Sequence, residues 1–233
     1  MFTHYRTQGF ILKKEDRGEA DRVFTVYTKD FGKLDLLAKA ERKIKSKLRG
    51  GLELFYLSEI EFIQGKAQKT LTDSILINSF SGLRKDLTKL ALAYKISESL
   101  DSLIKGEEPD KNVWSLLNET LRRLNLLEIR NLKLEILYFY FFWNLLSILG
   151  YRPEVNHCSL CQKKLSPENL FFNLSEGGLI CQNCAKLVKS VKEITPEAVK
   201  VMRVILKKDW PTLSKLKIEK SYLDSLNKIS EDL

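Results

Sequence analysis

The first third of the chain contains short apolar runs that are typical of β-strands. Five runs rich in aliphatic and aromatic residues lie at Gly9–Leu12, Val23–Thr28, Leu34–Ala38, Leu52–Phe62 and Thr70–Ile77. Glycine-containing turn signals separate them. Five short strands in succession favour a small barrel of the OB-fold type, although a five-stranded open sheet fits the same pattern.

From residue 81 onward the apolar spacing becomes helical. One predicted apolar face contains Leu83, Leu87, Leu90, Ala91 and Tyr94. After a break at residues 106–110, a second face contains Val113, Leu116, Leu117, Thr120, Leu121, Leu124 and Leu127. These two stripes predict a pair of amphipathic helices.

The later segments predict three further helices. Residues 132–149 are apolar nearly all round and precede Gly150, which indicates a helix buried at the centre of a bundle. Thr195-Pro196 predicts the start of another helix, in which Val199 and Met202 are apolar. Trp210-Pro211 is expected to end it, and a weak amphipathic segment follows at residues 222–229. The whole chain is therefore predicted to be α+β, with a barrel domain at 1–80 and a helical domain at 81–233.

Charge adds a preference for polyanionic partners. The chain has 39 basic and 30 acidic residues, a net charge of +9. No apolar run reaches the roughly 18–20 residues that cross a membrane, and Met1–Lys13 does not look like a signal peptide. We therefore expect a cytoplasmic protein without a membrane partner.

The cysteines form the strongest local motif. Cys158-x2-Cys161 is followed after 19 residues by Cys181-x2-Cys184, and these are all four cysteines of the chain. Two such pairs can supply the four thiolates of a tetrahedral zinc site. Disulfides are disfavoured in a cytoplasmic protein, and a redox motif needs one pair only. We predict one structural zinc ion per chain, held by an insertion at about 152–192. Around the ion we expect a mini-core too small to fold unaided, made of Leu160, Leu165, Phe171, Phe172, Leu174 and Leu179.

No catalytic motif accompanies this site. Four cysteine ligands leave zinc no open position, and the chain has only two histidines, His4 and His157. Phosphate-binding loops and hydrolase motifs are absent from the sequence. An acidic cluster of Glu15, Asp16, Glu19 and Asp21 fits a solvated turn better than a cation site. The sequence thus predicts a protein that is not an enzyme.

Residues 39–49, the basic loop, hold six basic residues and one acid between two predicted strands. Like charges repel, and a phosphate backbone is a partner that would compensate them. A solubilising surface loop is the alternative. Phe24, Tyr27 and Phe31 could stack on bases, although barrel-core positions are the simpler interpretation.

The order of these motifs resembles the RecO family of DNA repair proteins. Gly9–Lys13, Gly18–Arg22 and Lys45–Gly50 match its N-terminal signature. Leu145–Glu154 lies just before the first cysteine pair, and Gly177–Cys184 contains the second pair, as in the family. The resemblance covers residues 9–184; beyond Thr195 only helical character agrees.

The resemblance implies an OB-fold on a helical domain with a zinc insertion. It also implies binding and annealing of single- and double-stranded DNA, partnership with RecR and with the acidic C-terminal tail of single-stranded DNA-binding protein (SSB), and help in loading RecA, all at the nucleoid. Our candidate DNA-binding residues are Arg17, Arg22, Lys33, Lys39, Arg42, Lys43, Lys45, Lys47 and Arg49. Candidates for a basic rim that receives the SSB tail, beside Val199 and Met202, are Lys200, Arg203 and Lys207.

One departure from the family lies at Ala40-Glu41, where a small uncharged pair is expected. Glu41 is expected to dilute the charge of the basic loop and weaken DNA binding. Two alternatives stay open from the sequence: a zinc-ribbon RNA-binding or transcription-associated factor, and a zinc-stabilised protein-interaction scaffold. DNA annealing distinguishes the first alternative from a recombination mediator, and salt-dependent DNA binding excludes the second.

Overall fold

A computed structural model describes residues 3–126 and 131–230. The chain forms two compact units, Met1–Leu127 and Glu128–Leu233. Among the described residues, the first contains the five strands of a barrel and three α-helices, and the second contains a three-stranded sheet, five α-helices and the four cysteines. The predicted boundary after residue 80 marks the change from strands to helices, and as a division into domains it stays a prediction.

The first unit begins with five antiparallel and parallel strands that close into a barrel in the order β1-β2-β3-β5-β4. Their bounds are β1 His4–Arg17, β2 Asp21–Thr28, β3 Gly32–Ala38, β4 Leu57–Gln64 and β5 Lys69–Asn78. The long strand β1 pairs with β4 through its N-terminal half and with β2 through its C-terminal half. A parallel pairing of β3 with β5 completes the barrel. The predicted α+β fold with a five-stranded barrel is confirmed.

The interior of the barrel is filled by alternating side chains of the strands and by two residues between them. The buried cluster consists of Ile11, Phe24, Val26, Leu34, Leu36, Ala38, Leu48, Leu52, Ile60, Phe62 and Leu71. Leu52 was expected to start a strand, but β4 begins only at Leu57 because Phe55 has a positive φ of 64°, which interrupts an extended backbone. Leu48 belongs to a 3-10 helix at Lys47–Gly51.

Three helices complete the first unit: α1 Ser81–Arg84, α2 Leu87–Leu103 and α3 Lys111–Leu126. The face predicted for α2 is wrong, because Leu87 is 84% exposed and the buried residues are Lys89, Ala93, Ile96, Ser97 and Leu100. The predicted face of α3 is confirmed as far as Leu124; Leu127 lies outside the described residues. The α2–α3 connection approaches Gly32, where a β-carbon would meet the Glu108 carbonyl oxygen at 2.5 Å.

The second unit surrounds one apolar helix with short elements. These are α4 Asn131–Ile148, β6 Leu170–Asn173, β7 Gly178–Ile180, α5 Gln182–Ala185, β8 Lys192–Ile194, α6 Pro196–Leu206, α7 Trp210–Leu213 and α8 Lys220–Ser230. The described side chains of α4 from Leu134 to Leu146 are buried except Glu135, as the sequence predicted. Thr195 caps α6 by accepting a hydrogen bond from Ala198 N at 3.3 Å. The predicted stop at Trp210-Pro211 is wrong: α6 ends at Leu206, and Pro211 lies in the first turn of α7.

Candidate nucleic-acid interface and metal centre

The basic loop is a defined structure joined to the β1–β2 turn. Asp21 Oδ1 accepts a hydrogen bond from Ala40 N at 2.7 Å, and the Ala20 carbonyl accepts one from Arg42 N at 3.0 Å. The Arg42 guanidinium also donates to the carbonyl of Gly18 at 3.2 Å. The loop therefore has a preset shape, which lowers the entropy cost of ordering it on a ligand.

Glu41 does not dilute the surface charge of the loop, contrary to our expectation. Its side chain is buried and lies 3.1 Å from the guanidinium of Arg22. Arg22 in turn contacts Asp16 at 2.7 Å, and this hydrogen bond lowers the pKa of Asp16. Glu41 therefore stabilises the loop where it joins the barrel, while the lysines project from the outer side of the loop.

Five of the predicted DNA-binding residues are exposed and have no side-chain partner among the described residues. These are Lys39, Lys43, Lys45, Lys47 and Arg49. They lie in one continuous segment of the chain, which passes from the loop into the 3-10 helix. Their charges are available to an external anion.

The other four predicted residues already have partners. Arg17 donates to Gln68 at 2.6 Å, and Arg42 lies 3.4 Å from Asp16. Lys33, which is 15% exposed, lies 2.8 Å from the Asp101 carboxylate and donates to its carbonyl. For Lys33 and Arg22 these contacts indicate a role in joining elements of the first unit.

Asp101 on α2 forms ion pairs that the sequence did not predict. Lys13 and Lys33 both contact its carboxylate, at 2.5 and 2.8 Å. Burial opposes ionisation of Asp101, but the two lysines outweigh it and lower its pKa. No local motif could have identified a pairing across 88 residues of sequence.

The aromatic residues proposed as a base-stacking platform are mainly core residues. Phe24 and Tyr27 are fully buried, and Phe31 packs against Tyr5 and Phe62. Burial raises the pKa of Tyr27 to about 12 and its hydroxyl donates to the Asp110 carbonyl at 3.4 Å. The barrel-core interpretation is thus correct for Phe24, whereas Tyr27 is buried outside the barrel-interior cluster, next to the start of α3.

The four cysteines converge at one point of the second unit. The sulfur atoms of Cys158, Cys161, Cys181 and Cys184 all lie within 4.8 Å of one another. The Cys161 and Cys181 sulfurs are 3.9 Å apart, close to the roughly 3.8 Å edge of a tetrahedron with metal–sulfur bonds of about 2.3 Å. The prediction that the two pairs form a single four-thiol site is confirmed.

Backbone geometry positions the sulfurs. Gln162 has a positive φ of 60° and donates its N–H to the Cys158 carbonyl at 2.9 Å, which closes the first knuckle. Ser159 N donates to the carbonyl of Leu179 on β7 at 2.8 Å, so the first knuckle is joined to the strand before the second. Cys181 precedes α5 and directs its N–H at the Cys158 sulfur, 3.4 Å away.

The thiols of this site have divergent proton affinities. Burial disfavours ionisation of Cys158, but the backbone N–H groups of Cys161, Cys181 and Leu160 outweigh it and lower its pKa to about 6. Burial and the neighbouring thiols raise the pKa of Cys184 to about 12. A set of four cysteine sulfurs at this spacing suits a soft, tetrahedral metal ion, whose charge would favour the thiolate form of its ligands.

The surroundings of the site differ in part from the predicted mini-core. Leu165 and Phe171 pack against the cluster of Cys158, Ile180 and Cys184. Leu160 and Leu174 were expected in this core, but they are 39% and 40% exposed. Within residues 152–192, the cysteine module, the buried cluster at the cysteines is therefore small, while Phe172 and Leu179 are buried but are not members of that cluster.

The residues predicted to form a rim for the SSB tail lie beside buried apolar side chains. Lys200 and Lys207 are exposed on α6, but Val199 and Met202 beside them are fully buried. Arg203 donates to the Val155 carbonyl at 2.8 Å and joins α6 to the cysteine module. These three residues stay a prediction, with Arg203 in a structural position.

Within residues 3–126 and 131–230, no helix combines the length and apolarity that a bilayer crossing requires.

Two family models together match nearly the whole chain. The family model described as "Recombination protein O N terminal" matches residues 1–80, and "Recombination protein O C terminal" matches residues 84–233. A "DNA repair protein RecO" of Dehalococcoides mccartyi is 36% identical over 95% of this chain and 86% of its own length. Proteins with the same description from Caldanaerobacter subterraneus and Acetivibrio thermocellus are 30% and 29% identical, over 96% and 98% of this chain and 89% of each relative.

Proposed function

The chain belongs to the RecO family of DNA repair proteins, and we propose that it is a recombination mediator that binds DNA, anneals complementary strands and acts with RecR to load RecA onto SSB-coated single strands. The observation that carries this proposal is the match of both family models across nearly the whole chain. We propose no catalytic activity for it, since annealing and loading need only binding.

The basic loop is the proposed DNA interface. Its five unpartnered cations can each neutralise a phosphate and release a condensed counterion. Phosphate contacts give affinity without sequence preference, which suits a protein that must anneal any pair of complementary strands. Arg42 lies in the loop, and Arg17 precedes Gly18, whose carbonyl accepts a hydrogen bond from Arg42, so both can extend this surface. Arg22 and Lys33 are proposed to join elements of the first unit.

Zinc is the proposed occupant of the four-cysteine site. Zinc has no geometric preference from its d electrons and accepts four thiolates in a tetrahedron, so the observed spacing fits it. Cys158, Cys161, Cys181 and Cys184 would hold the ion, and all four positions would be filled by protein. Its proposed contribution is therefore the stability of the cysteine module.

A strand-annealing assay tests the proposed function. Purified protein should accelerate annealing of complementary oligonucleotides, and it should do so also when both strands are coated with SSB. Replacing Lys43, Lys45 and Lys47 together by Ala should slow annealing and reduce the log–log salt dependence of binding, by roughly 0.7 per lost contact on single strands and roughly 0.9 on duplex.

The matched control replaces Lys215 and Lys217 by Ala, which removes two exposed charges from the second unit at positions with no predicted role in binding. This variant should keep the wild-type salt dependence of DNA binding. If the loop variant and the control behave alike, the DNA interface lies elsewhere on the protein. If the wild type does not anneal coated strands, the mediator function itself is refuted.

A further inference from the structure

The basic loop carries one apolar side chain at its tip. Ile44 lies between Lys43 and Lys45 and is 91% exposed, more than any other large apolar residue that the structure describes. Single exposed apolar residues are common on protein surfaces and by themselves need no explanation. The setting of Ile44 is unusual in two further respects, its place in a turn and the rigidity of that turn's base.

Ile44 occupies a corner of a tight turn. Ser46 N donates to the Lys43 carbonyl at 3.0 Å, so residues 43–46 form a β-turn with Ile44 and Lys45 at its two central positions. The preceding residues form a second turn, in which Lys43 N donates to the Ala40 carbonyl at 3.2 Å. A β-branched residue has no conformational advantage at such a corner, where Gly, Pro, Asn and Asp are favoured.

The base of the loop resists displacement. Asp21 and the Ala20 carbonyl hold the backbone of Ala40 and Arg42, and buried Glu41 pairs with Arg22. A side chain fixed at the tip of such a loop can be pressed against a ligand without the loop folding away. The lysines on both sides would at the same time hold the phosphates of that ligand.

We propose that Ile44 is a wedge that inserts between neighbouring bases when the loop binds DNA. Aliphatic side chains that enter between base steps partly unstack them and bend the duplex, while flanking cations hold the backbone. Unstacking costs free energy, and the cost is smallest where pairing is already disturbed. The loop should therefore prefer a duplex containing a mismatch over a continuous duplex, a preference that phosphate contacts alone cannot generate.

This inference rests on the proposed DNA-binding function, and one experiment separates the two. Wild type, Ile44→Ala, Lys43→Ala and the control Leu87→Ala are titrated against a continuous duplex and against one with a central mismatch, at several salt concentrations. Leu87 is a matched control because it is 84% exposed on α2 of the same unit. A 2-aminopurine beside the mismatch reports unstacking by its fluorescence.

Ile44→Ala should bind the mismatched duplex roughly tenfold more weakly, because it loses the burial of an aliphatic side chain, and should keep the wild-type salt slope. It should also lose the aminopurine signal and most of the mismatch preference. Lys43→Ala should instead lower the salt slope and keep that preference, and Leu87→Ala should resemble the wild type in every measurement.

The proposal is overturned if Ile44→Ala retains the mismatch preference and the aminopurine signal, or if Leu87→Ala loses them equally. An affinity loss without a change of aminopurine signal also overturns it, because it would mean contact with the outside of the duplex only. If the wild type shows no salt-dependent DNA binding, the proposed function fails, and the wedge fails with it. Equal thermal unfolding of all variants checks that each is folded.

Discussion

The barrel and the cysteine module are both small β structures, but different forces hold them together. The barrel has strands of 7 to 14 residues and closes its hydrogen bonding on itself around eleven buried apolar side chains. The three-stranded sheet of the second unit has strands of three or four residues, and the buried cluster at its cysteines has three members. Apolar burial can stabilise the first structure, whereas the proposed metal ion would supply much of the stability of the second.

This difference gives the proposed zinc ion a structural role in the cysteine module and none in the barrel. A structure with a small apolar core gains too little from burial to offset the entropy of ordering its chain, and a metal–thiolate site replaces the missing contribution. The module's backbone hydrogen bonds, such as the one from Ser159 N to the Leu179 carbonyl, position the sulfur atoms. The buried cluster at the sulfur atoms consists of Cys158, Ile180 and Cys184. We therefore expect damage to the two regions to differ in size and in its dependence on metal.

Loss of a metal ligand should have the largest effect. Cys181→Ser, or chelation of the wild type, should unfold the cysteine module, because structural zinc supplies on the order of 10 kcal/mol of folding free energy in small domains. Metal analysis should find about one zinc per chain in the wild type and much less in the variant. DNA binding should survive in the part that stays folded.

His157→Ala is the control for this experiment, since His157 adjoins Cys158 without belonging to the group of four sulfurs. It should keep both zinc and stability. Equal stability of Cys181→Ser and the wild type, or disulfides in place of zinc, would contradict a structural metal site.

A cavity in the barrel should have a smaller effect that metal cannot change. Phe24→Ala removes a fully buried ring from the barrel interior and should cost about 3–5 kcal/mol of unfolding free energy. Urea unfolding followed by circular dichroism measures this loss in the presence and absence of added zinc. If added zinc reversed the loss, the barrel and the cysteine module would be stabilised in common and not by different forces.

The ion pairs of Asp101 should contribute less than the core. Asp101→Asn weakens the contacts of Lys13 and Lys33 and should cost roughly 1–2 kcal/mol at neutral pH. Because the folded protein holds the pKa of Asp101 below its usual value, the contribution is present above about pH 4 and is lost as the pH falls through the lowered pKa.

Thermal unfolding of the wild type and Asp101→Asn between pH 7 and pH 2.5 checks this pH dependence. The two melting curves should converge at the acid end. A difference that persists at pH 2.5 would assign the effect to packing instead of charge.

The smallest effect on stability should come from the basic loop. Replacing Lys43, Lys45 and Lys47 by Ala should change the unfolding free energy by less than about 0.5 kcal/mol, since their side chains are exposed and have no partner among the described residues. The same variant should lose DNA affinity. A large loss of stability would mean that these lysines belong to the barrel's own structure.

Local sequence patterns predicted the helices and strands better than they predicted which side chains are buried or paired. Strand positions and the four-cysteine site follow from residue type and spacing, which is why they agree with the structure. The buried face of α2 does not follow from residue type. Lys89 and Ser97 are buried while Leu87 is exposed, because tertiary contacts decide which side of the helix is covered. The buried pairing of Glu41 with Arg22 likewise joins residues that are distant in sequence.

The division of β1 between two partners has a consequence for the order of folding. Its C-terminal half pairs with β2 across a short turn, from Arg17 and Asp21 onward, and this hairpin can form early. Its N-terminal half pairs with β4, where His4 lies opposite Ile63, so closure waits until a much longer stretch has been synthesised and ordered. During translation, β1 leaves the ribosome before the other four barrel strands and would thus be among the last of the five to complete its pairing.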